Sequence, residues 1–321
     1  MAYNSSNEAN IVRQELYDVT LEKSLDDWLV GRPLFDDKTS VFPDGDTLNI
    51  TKTGDRAVSD YDEDTAINFD NMETSRVDLT VTAYKQDGWY LTDKLKQDGH
   101  QAEAFWAENV RKSAIAMERD MEKAVLATAN LQTLGNANLI NGKAHRFLGS
   151  GTGGAVTLED FGALKLAFDS AYVPTENRML IITPETEFAL NKLLNILEVS
   201  NGSQFNYNVD GLVQTGFGDK LNIVRNIFGF NIMVSHNLPN VTGETLTRFD
   251  GTNSASITGK ACVAMSMADA SSMPFMGVIR QRPESEFFRN THYKRDEWSA
   301  TCRYGFGLKR AETLAVIATP V

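Results

Sequence analysis

The sequence has few cysteines and histidines, two residue types that catalytic and metal sites commonly use. Only two cysteines and four histidines occur among 321 residues. Cys262 and Cys302 are too few for a disulfide framework and are not spaced as a metal or redox motif. The histidines form no HExxH pair, and the chain has no Walker A loop and no G-x-S-x-G elbow. We therefore expect no enzyme, no metal and no cofactor, in a reducing, cytoplasmic setting.

Positive charge and long apolar runs are also scarce. The chain has 31 Lys and Arg residues and 43 Asp and Glu residues, which gives a net charge of -12. This charge argues against extensive binding to nucleic-acid phosphates. No run approaches 18 consecutive apolar residues, and the N-terminus lacks a basic region followed by an apolar one. We expect neither a membrane span nor a secretory signal.

The composition that remains is typical of a folded chain with a sizeable core, with 42% hydrophobic and 23% charged residues. The strongest helical pattern covers residues 100–130 and predicts one helix on the order of 45 Å long. Thr157 is the predicted N-cap of a second helix, and residues 179–182 predict a strand leading into a helix near Pro184. Strand patterns dominate from residue 275 onward, and no repeat occurs at a fixed period. The fold class is therefore α+β.

Two more apolar runs lie between these parts. Residues 228–239 and 261–267 predict buried strand segments, because each is a short apolar run bounded by turn residues. The stretch between them, residues 246–259, is rich in Ser, Thr, Asn and Gly and predicts loop and turn.

The N-terminal part of the chain contains two segments that need a surface to dock on. Residues 11–29 have apolar side chains at helical spacing, and Pro and Gly residues then favour an extended chain over 30–46. Alternating apolar residues at 48–50 and 77–81 predict a hairpin. Between them, "SDYDEDTAINFDNMET" at 59–74 is acidic and polar. It is far longer than the roughly two to five residues of a common hairpin loop.

One motif resembles a nucleotide loop. The glycines of "GSGTGG" at 149–154 have the spacing of a dinucleotide-binding turn, whose backbone amides approach a pyrophosphate. No convincing strand pattern precedes the motif, and Asp169, about 20 positions on, falls inside the next predicted helix. These features favour a connector over a nucleotide site.

A second motif resembles a calcium loop. Asp60, Asp62 and Asp64 alternate as the first ligands of such a loop do, since carboxylate oxygens suit a hard cation. The sixth position, which requires glycine, is Thr65, and the twelfth, which requires a bidentate Glu, is Asn71. We interpret the segment as a solvated acidic loop.

The order of these parts resembles the major capsid protein of tailed phages, the Hong Kong 97-type fold, over nearly the whole chain. The stretch "TLNITKTGDRAVSDYDEDTAINFDNMETSRVDLTVTAYKQDGWYLTD" matches the extended loop and its base, and "AEAFWAENVRKSAIAMERDMEKAVLATAN" matches the spine helix. Two further stretches carry the rest of the resemblance, "VPTENRMLIITPETEFALNKLL" and "CRYGFGLKRAETLAVI". In the last one, Tyr304 and Gly305 precede a final apolar strand.

The resemblance implies an α+β, Hong Kong 97-like capsid fold divided into six segments. These are an N-terminal arm at 1–46, an extended hairpin loop at 47–85, a peripheral domain with the spine helix at 86–174, an axial domain at 175–277, return strands of the peripheral domain at 278–313, and a final axial strand at 314–321.

The resemblance also implies hexamers and pentamers of this chain in an icosahedral shell around double-stranded DNA, with weak contact to the DNA. The arm and the loop would be ordered by lying on a neighbouring subunit, where their polar groups find partners. The residues that we predict to make subunit contacts are Trp28, Phe35, Arg56, Asp60, Asp62, Glu63, Asp64, Phe69 and Arg76.

Two departures from some relatives bear on other partners. Those relatives join their subunits by an isopeptide bond from a lysine in the extended loop, but no lysine lies between Lys52 and Lys85 here. We expect noncovalent contacts or a separate decoration protein instead. No long, charged helical extension precedes the arm, which suggests a separate scaffolding protein. A portal is a further expected partner. Assembly would take place in the host cytoplasm.

Two alternatives remain open at this point. The same fold also builds encapsulin-type compartments that hold enzyme cargo, and nucleic-acid content separates these from a virus. A nucleotide-using enzyme built around 149–154 is the remote alternative.

Overall fold

The computed structural model describes residues 34–42, 45–54, 56, 58, 60, 62–64, 66, 69, 71, 74–98, 102–132, 138–190 and 226–320. Over these residues the chain mixes helices with two large sheets, which confirms the α+β fold class. The predicted helix at 11–29 and Trp28 lie outside the described residues. No described helix is both long and apolar enough to span a membrane.

The helices and strands follow one another as the sequence analysis predicts for most of the chain. The helices are α1 (Asp93–Asp98), α2 (Ala102–Ala127) and α3 (Leu158–Ser170), with 3-10 turns at Thr128–Leu131 and Thr152–Gly154 and a helical segment at 184–190. The strands are β1 (Phe35–Asp37), β2 (Thr47–Thr53), β3 (Thr74–Thr80), β4 (Ala83–Thr92), β5 (Leu139–Ile140), β6 (Lys143–Ala144), β7 (Arg146–Leu148), β8 (Arg178–Ile182), β9 (Asn226–Ile227), β10 (Phe230–Val234), β11 (Asn240–Leu246), β12 (Ala255–Ser266), β13 (Phe275–Asn290), β14 (Arg295–Leu308) and β15 (Leu314–Pro320).

A seven-stranded sheet has its centre buried on both faces. Its strands run in the order β7-β15-β12-β8-β10-β9, and β11 pairs with β12. On one face, Phe161 and Leu164 of α3 pack against β15 and β12. On the other face, Val125 and Leu126 at the end of α2 join β11 in a second apolar cluster. Thr157 forms a capping box with Asp160, so the predicted N-cap is confirmed.

A four-stranded sheet, in the order β1-β13-β14-β4, has a different element on each face. Met117 and Met121 of α2 pack on the face that carries Trp298 and Tyr304 of β14. The hairpin β2–β3 packs its base on the other face, where Leu79 contacts buried side chains of β13. The alternation of side chains along a strand sends neighbouring residues to opposite faces, so one sheet supports both elements.

The hairpin predicted from alternating apolar residues is confirmed. Strands β2 and β3 are antiparallel, with Thr53 opposite Thr74. The long helix is confirmed too, over 26 residues.

The sequence interpretation of residues 246–259 as loop is wrong at both ends. Leu246 pairs with Ala255 and Glu244 with Ile257, so β11 and β12 extend into this polar stretch. Its Ser, Thr and Gly residues favour turns by local propensity, but the sheet edge supplies partners for their backbone groups. Only residues 247–254 connect the two strands.

Strand pairing also differs from the predicted domain division. β7 pairs in parallel with β15, and α3 packs under the same sheet, whereas the sequence division groups 86–174 with the spine helix. The seven-stranded sheet therefore draws residues from three separate stretches of the chain. The division into peripheral and axial domains remains a prediction.

Candidate interface between subunits

The loop of the hairpin exposes apolar side chains. It spans residues 54–73, since Thr53 and Thr74 are the last paired residues. Val58 is 98% exposed and Phe69 is 89% exposed. Two fully solvated large apolar side chains on one projecting loop indicate a contact that a single chain does not make.

The same loop concentrates negative charge. Asp60, Asp62, Glu63 and Asp64 are all exposed, and Asp62 Oδ1 accepts a hydrogen bond from the backbone N–H of Asp64 at 3.2 Å. Among the described residues, no three His, Cys, Asp or Glu side chains are placed to hold a metal ion. The four carboxylates are solvent-exposed, as the interpretation of a solvated acidic loop expects.

The other predicted contact residues have diverse surroundings. Arg56 is exposed. Arg76 forms a bidentate ion pair with Asp78 at 2.6 and 2.8 Å, and this hydrogen bonding raises the pKa of Arg76. Phe35 is partly buried, with its ring 5.0 Å from that of Phe306. Arg76 and Phe35 thus have partners in their own chain, and their role between subunits remains a prediction.

A second exposed surface was missed by sequence reasoning. At the far end of the four-stranded sheet, five large aromatic side chains are exposed, and we call them the aromatic tip: Tyr90, Phe105, Phe287, Phe288 and Tyr293. The run "EFF" in β13 was the available signal, since Phe287 and Phe288 are adjacent and must point to opposite faces of the strand. Phe287 contacts Trp106 of α2, with ring centroids 5.8 Å apart, and Phe288 points away from that helix.

Ion pairs join the elements of this tip. Arg289 of β13 donates to Asp93 of α1 and to Asp296 of β14, each at 2.6 Å. These hydrogen bonds from Arg289 lower the pKa of Asp93. Arg295 lies over the ring of Tyr90 at 4.4 Å and over that of Tyr293 at 4.8 Å. The pairs and stacked rings hold the tip in one arrangement.

The glycine motif at 149–154 is a packed turn that directly follows β7, so the sequence interpretation that no strand precedes it is wrong, because pairing with β15 makes a strand of a run too short to show a pattern. The N–H of Gly149 donates to Ala318, that of Ser150 to Asp160, and that of Gly151 to Ala155. A Cβ on Gly149 would lie 2.5 Å from the carbonyl oxygen of Gly154, so close backbone packing explains the glycine. Four of the six backbone amides of the motif, those of Gly149, Ser150, Gly151 and Gly154, already donate within the chain.

The two cysteines are buried in the apolar cores. Cys262 and Cys302 are both free thiols, and burial raises the pKa of Cys262 to about 11. Neither is positioned as a nucleophile, because a reactive thiol needs access and a lowered pKa.

Comparisons with known proteins point to one family. The model of the phage capsid protein family matches residues 74–318. No curated protein matches the chain in sequence. The capsid of the cyanophage P-SCSP1u is similar in structure, with a TM-score of 0.69 and 14% identity, over 98% of this chain and 94% of that chain.

Two further structures are similar along their whole length. The protein of Mycobacterium phage Che8 has a TM-score of 0.67 and 17% identity, over 96% of this chain and 97% of that chain. The capsid of a native GTA particle has a TM-score of 0.65 and 10% identity, over 100% of both chains. These likenesses confirm the Hong Kong 97-like capsid fold.

Proposed function

The chain belongs to the phage capsid protein family, and from this premise we propose how its shell is built. It is a structural protein, the major capsid protein of a phage. Copies of the chain assemble as hexamers and pentamers, which close an icosahedral shell around a double-stranded DNA genome. The proposal assigns the chain no catalytic step.

One observation carries this mode of assembly: the projecting loop at 54–73, with exposed Val58 and Phe69. The backbone groups and charges of a long polar loop can find partners on another surface that covers the loop. Loop residues Asp60, Asp62, Glu63 and Asp64, together with Arg56, are the proposed contacts on a neighbouring subunit. Trp28 and Phe35 of the arm segment at 1–46 and Arg76 of β3 are further proposed contacts.

The aromatic tip supports self-association from the opposite end of the four-stranded sheet. Aromatic residues are enriched in protein interfaces because each ring contributes a large buried area at a low cost in conformational entropy. The hairpin loop and the aromatic tip thus give each subunit two separate surfaces. Contacts through these two surfaces can close a ring of subunits and join one ring to the next.

The proposal includes other partners of the shell. A separate scaffolding protein guides assembly in the host cytoplasm, a portal occupies one vertex, and a decoration protein reinforces the shell where required. The net charge of -12 limits the packaged DNA to weak contact with the shell. Because no lysine lies between Lys52 and Lys85, the subunits are held without isopeptide bonds from the loop.

The test is the mass and shape of the native assembly, measured by light scattering with electron microscopy. We expect closed particles of megadalton mass that show pentameric and hexameric clusters. A stable monomer of 35.6 kDa, even with scaffolding protein supplied, would contradict the proposal. A denaturing gel of the particles should show one band near the monomer mass, and a ladder of covalent multimers would contradict the noncovalent shell.

The nucleic-acid content of purified particles separates a phage shell from an encapsulin-type compartment. We expect double-stranded DNA inside, whereas enzyme cargo without DNA would favour the compartment. The family match and the structural likenesses give the compartment no support of its own.

A further inference from the structure

A cleft with a volume of about 220 Å³ opens beside the edge strand of the four-stranded sheet. Its walls are Phe35 and Asp37 of β1, Met121 of α2, and Ile279, Arg282 and Pro283 of β13. Four of these six residues present apolar side chains. An apolar cavity of about 150 Å³ is enough to hold benzene, so this cleft has room for one aromatic ring.

Two β-bulges interrupt the pairing of β13 beside the cleft. The pairing of β13 with β14 shifts register between Ile279 and Gln281 and again between Gln281 and Glu284. At the second shift Arg282 and Pro283 lie together opposite the single residue Cys302 of β14, and Pro283 has no N–H to donate. Bulges bend a strand and redirect its side chains, and three residues of this bulged stretch, Ile279, Arg282 and Pro283, line the cleft.

The charge of the cleft comes from Arg282. This side chain is exposed, and among the described residues no hydrogen bond or ion pair engages its guanidinium. The other charged wall residue, Asp37, already accepts hydrogen bonds from the backbone N–H and the hydroxyl of Thr39. The mouth of the cleft therefore offers an exposed cation, with no partner among the described residues, beside an apolar slot.

The loop at 54–73 has the complementary chemistry. It contains seven acidic residues and one arginine, and its Phe69 side chain is 89% exposed. The hairpin base that carries the loop packs on one face of the sheet, through Leu79, whereas Met121 and Ile279 place the cleft on the other face. The sheet separates the cleft from its own hairpin, which favours the loop of a second copy.

We propose that this cleft receives the hairpin loop of a neighbouring subunit, with Phe69 in the apolar slot and a loop carboxylate on Arg282. The inference rests on the proposed function and specifies which surface the loop meets. An aromatic anchor in a pocket, flanked by a charge pair, is the usual centre of a specific protein interface.

The experiment uses chains with one introduced cysteine each, Phe69→Cys and Arg282→Cys, assembled together in equal amounts and treated with a short bismaleimide. The native thiols of Cys262 and Cys302 are buried and do not compete. We expect a cross-linked dimer on a denaturing gel that contains one chain of each kind. Each variant assembled alone should give none.

Tyr172→Cys serves as the matched control, because Tyr172 is also 89% exposed but lies after α3, beneath the other sheet. Paired with Phe69→Cys, it should give no dimer. Particles that form without a dimer between positions 69 and 282, or with an equal yield from position 172, would overturn the inference and leave the proposed function intact.

A labelling measurement addresses other occupants. In unassembled subunits we expect Arg282→Cys to react with maleimide, and in particles we expect its reaction to be at least about tenfold slower. If position 282 is already protected in free subunits, a segment of the same chain occupies the cleft and the inference is wrong. If the unaltered chain forms no particles, the proposed function fails and this inference with it.

Discussion

The two large sheets of this protein differ in how much of their surface one chain covers. In the seven-stranded sheet, β15 is buried at six of its seven residues, and its two faces lie under α3 and the end of α2. In the four-stranded sheet, six of the eight residues of β13 that follow Arg282 are exposed. One sheet is thus completed within the subunit, and the other leaves apolar surface uncovered by the described residues.

This difference separates stability from assembly. A sheet that is buried on both faces contributes hydrophobic free energy whether or not partners are present. Exposed rings at the aromatic tip and on the hairpin loop contribute only when another surface covers them. We therefore expect mutations in the seven-stranded sheet to unfold the subunit, and mutations in the tip to spare the subunit and weaken the shell.

The largest effect should come from the core beneath the seven-stranded sheet. Phe161→Ala removes a ring with 0% exposure from α3 and should lower the free energy of unfolding by about 3–5 kcal/mol, since it leaves a cavity. Urea unfolding followed by circular dichroism measures this. Leu166→Ala is the matched control in the same helix, because Leu166 is 46% exposed, and a comparable loss there would contradict the prediction.

The next largest effect should come from a buried ion pair. Two ion pairs of similar geometry, one in each region, should differ in how much they contribute to the free energy of unfolding. Arg146, 1% exposed, binds Glu244 through two contacts of 2.8 and 2.6 Å. Glu244→Gln leaves the buried Arg146 cation without its counter-charge, and we expect a loss of about 3 kcal/mol in the free energy of unfolding.

The exposed counterpart is the bidentate pair of Arg76 and Asp78 on the hairpin. Asp78→Asn should produce no resolvable change in the denaturation midpoint, because solvent screens the pair. Equal effects of Asp78→Asn and Glu244→Gln would break the comparison between the two regions.

The next effect in size should depend on pH and should come from Asp36 of β1. Burial opposes ionisation of Asp36, but Lys309 at 2.7 Å and Lys38 at 2.8 Å outweigh it, so the pKa of Asp36 lies below its ordinary value. Its contribution is complete above the unfolded-state pKa of about 3.9. It is lost as the pH falls through the lower, folded-state pKa.

The variant Asp36→Asn tests this linkage. We expect it to lower the free energy of unfolding by roughly 1 kcal/mol at pH 7, after solvent screening of the ion pairs. The difference from the unaltered protein should shrink as the pH falls below about 4. A difference that stays constant down to pH 2 would show that the carboxylate charge is not involved.

The smallest effect on the subunit should come from the aromatic tip. Phe288 is 61% exposed, so Phe288→Ser should change the free energy of unfolding by at most about 0.5 kcal/mol. It should raise the subunit concentration needed for assembly about tenfold, equivalent to about 1.4 kcal/mol. Light scattering during assembly measures this, with Tyr172→Ser as the exposed control. Unchanged assembly would exclude Phe288 from the interface.

Some of this structure follows from the sequence by itself. The hairpin of β2 and β3, the helix α2 and the N-cap at Thr157 were predictable because alternation, helical periodicity and capping chemistry act between residues that are near in sequence. The exposed acidic loop with Phe69 also followed, since its polarity and length do not suit a turn.

Tertiary structure alone decided the rest. Pairing of Leu246 with Ala255 overrode the turn preference of a polar stretch, because a sheet edge satisfies backbone groups that local propensity leaves to solvent. Phe35, Met121 and Pro283 form one cleft although they are far apart in the chain. Phe288 is exposed although its apolar ring favours a core. Burial depends on which distant surfaces meet, and no local pattern records that.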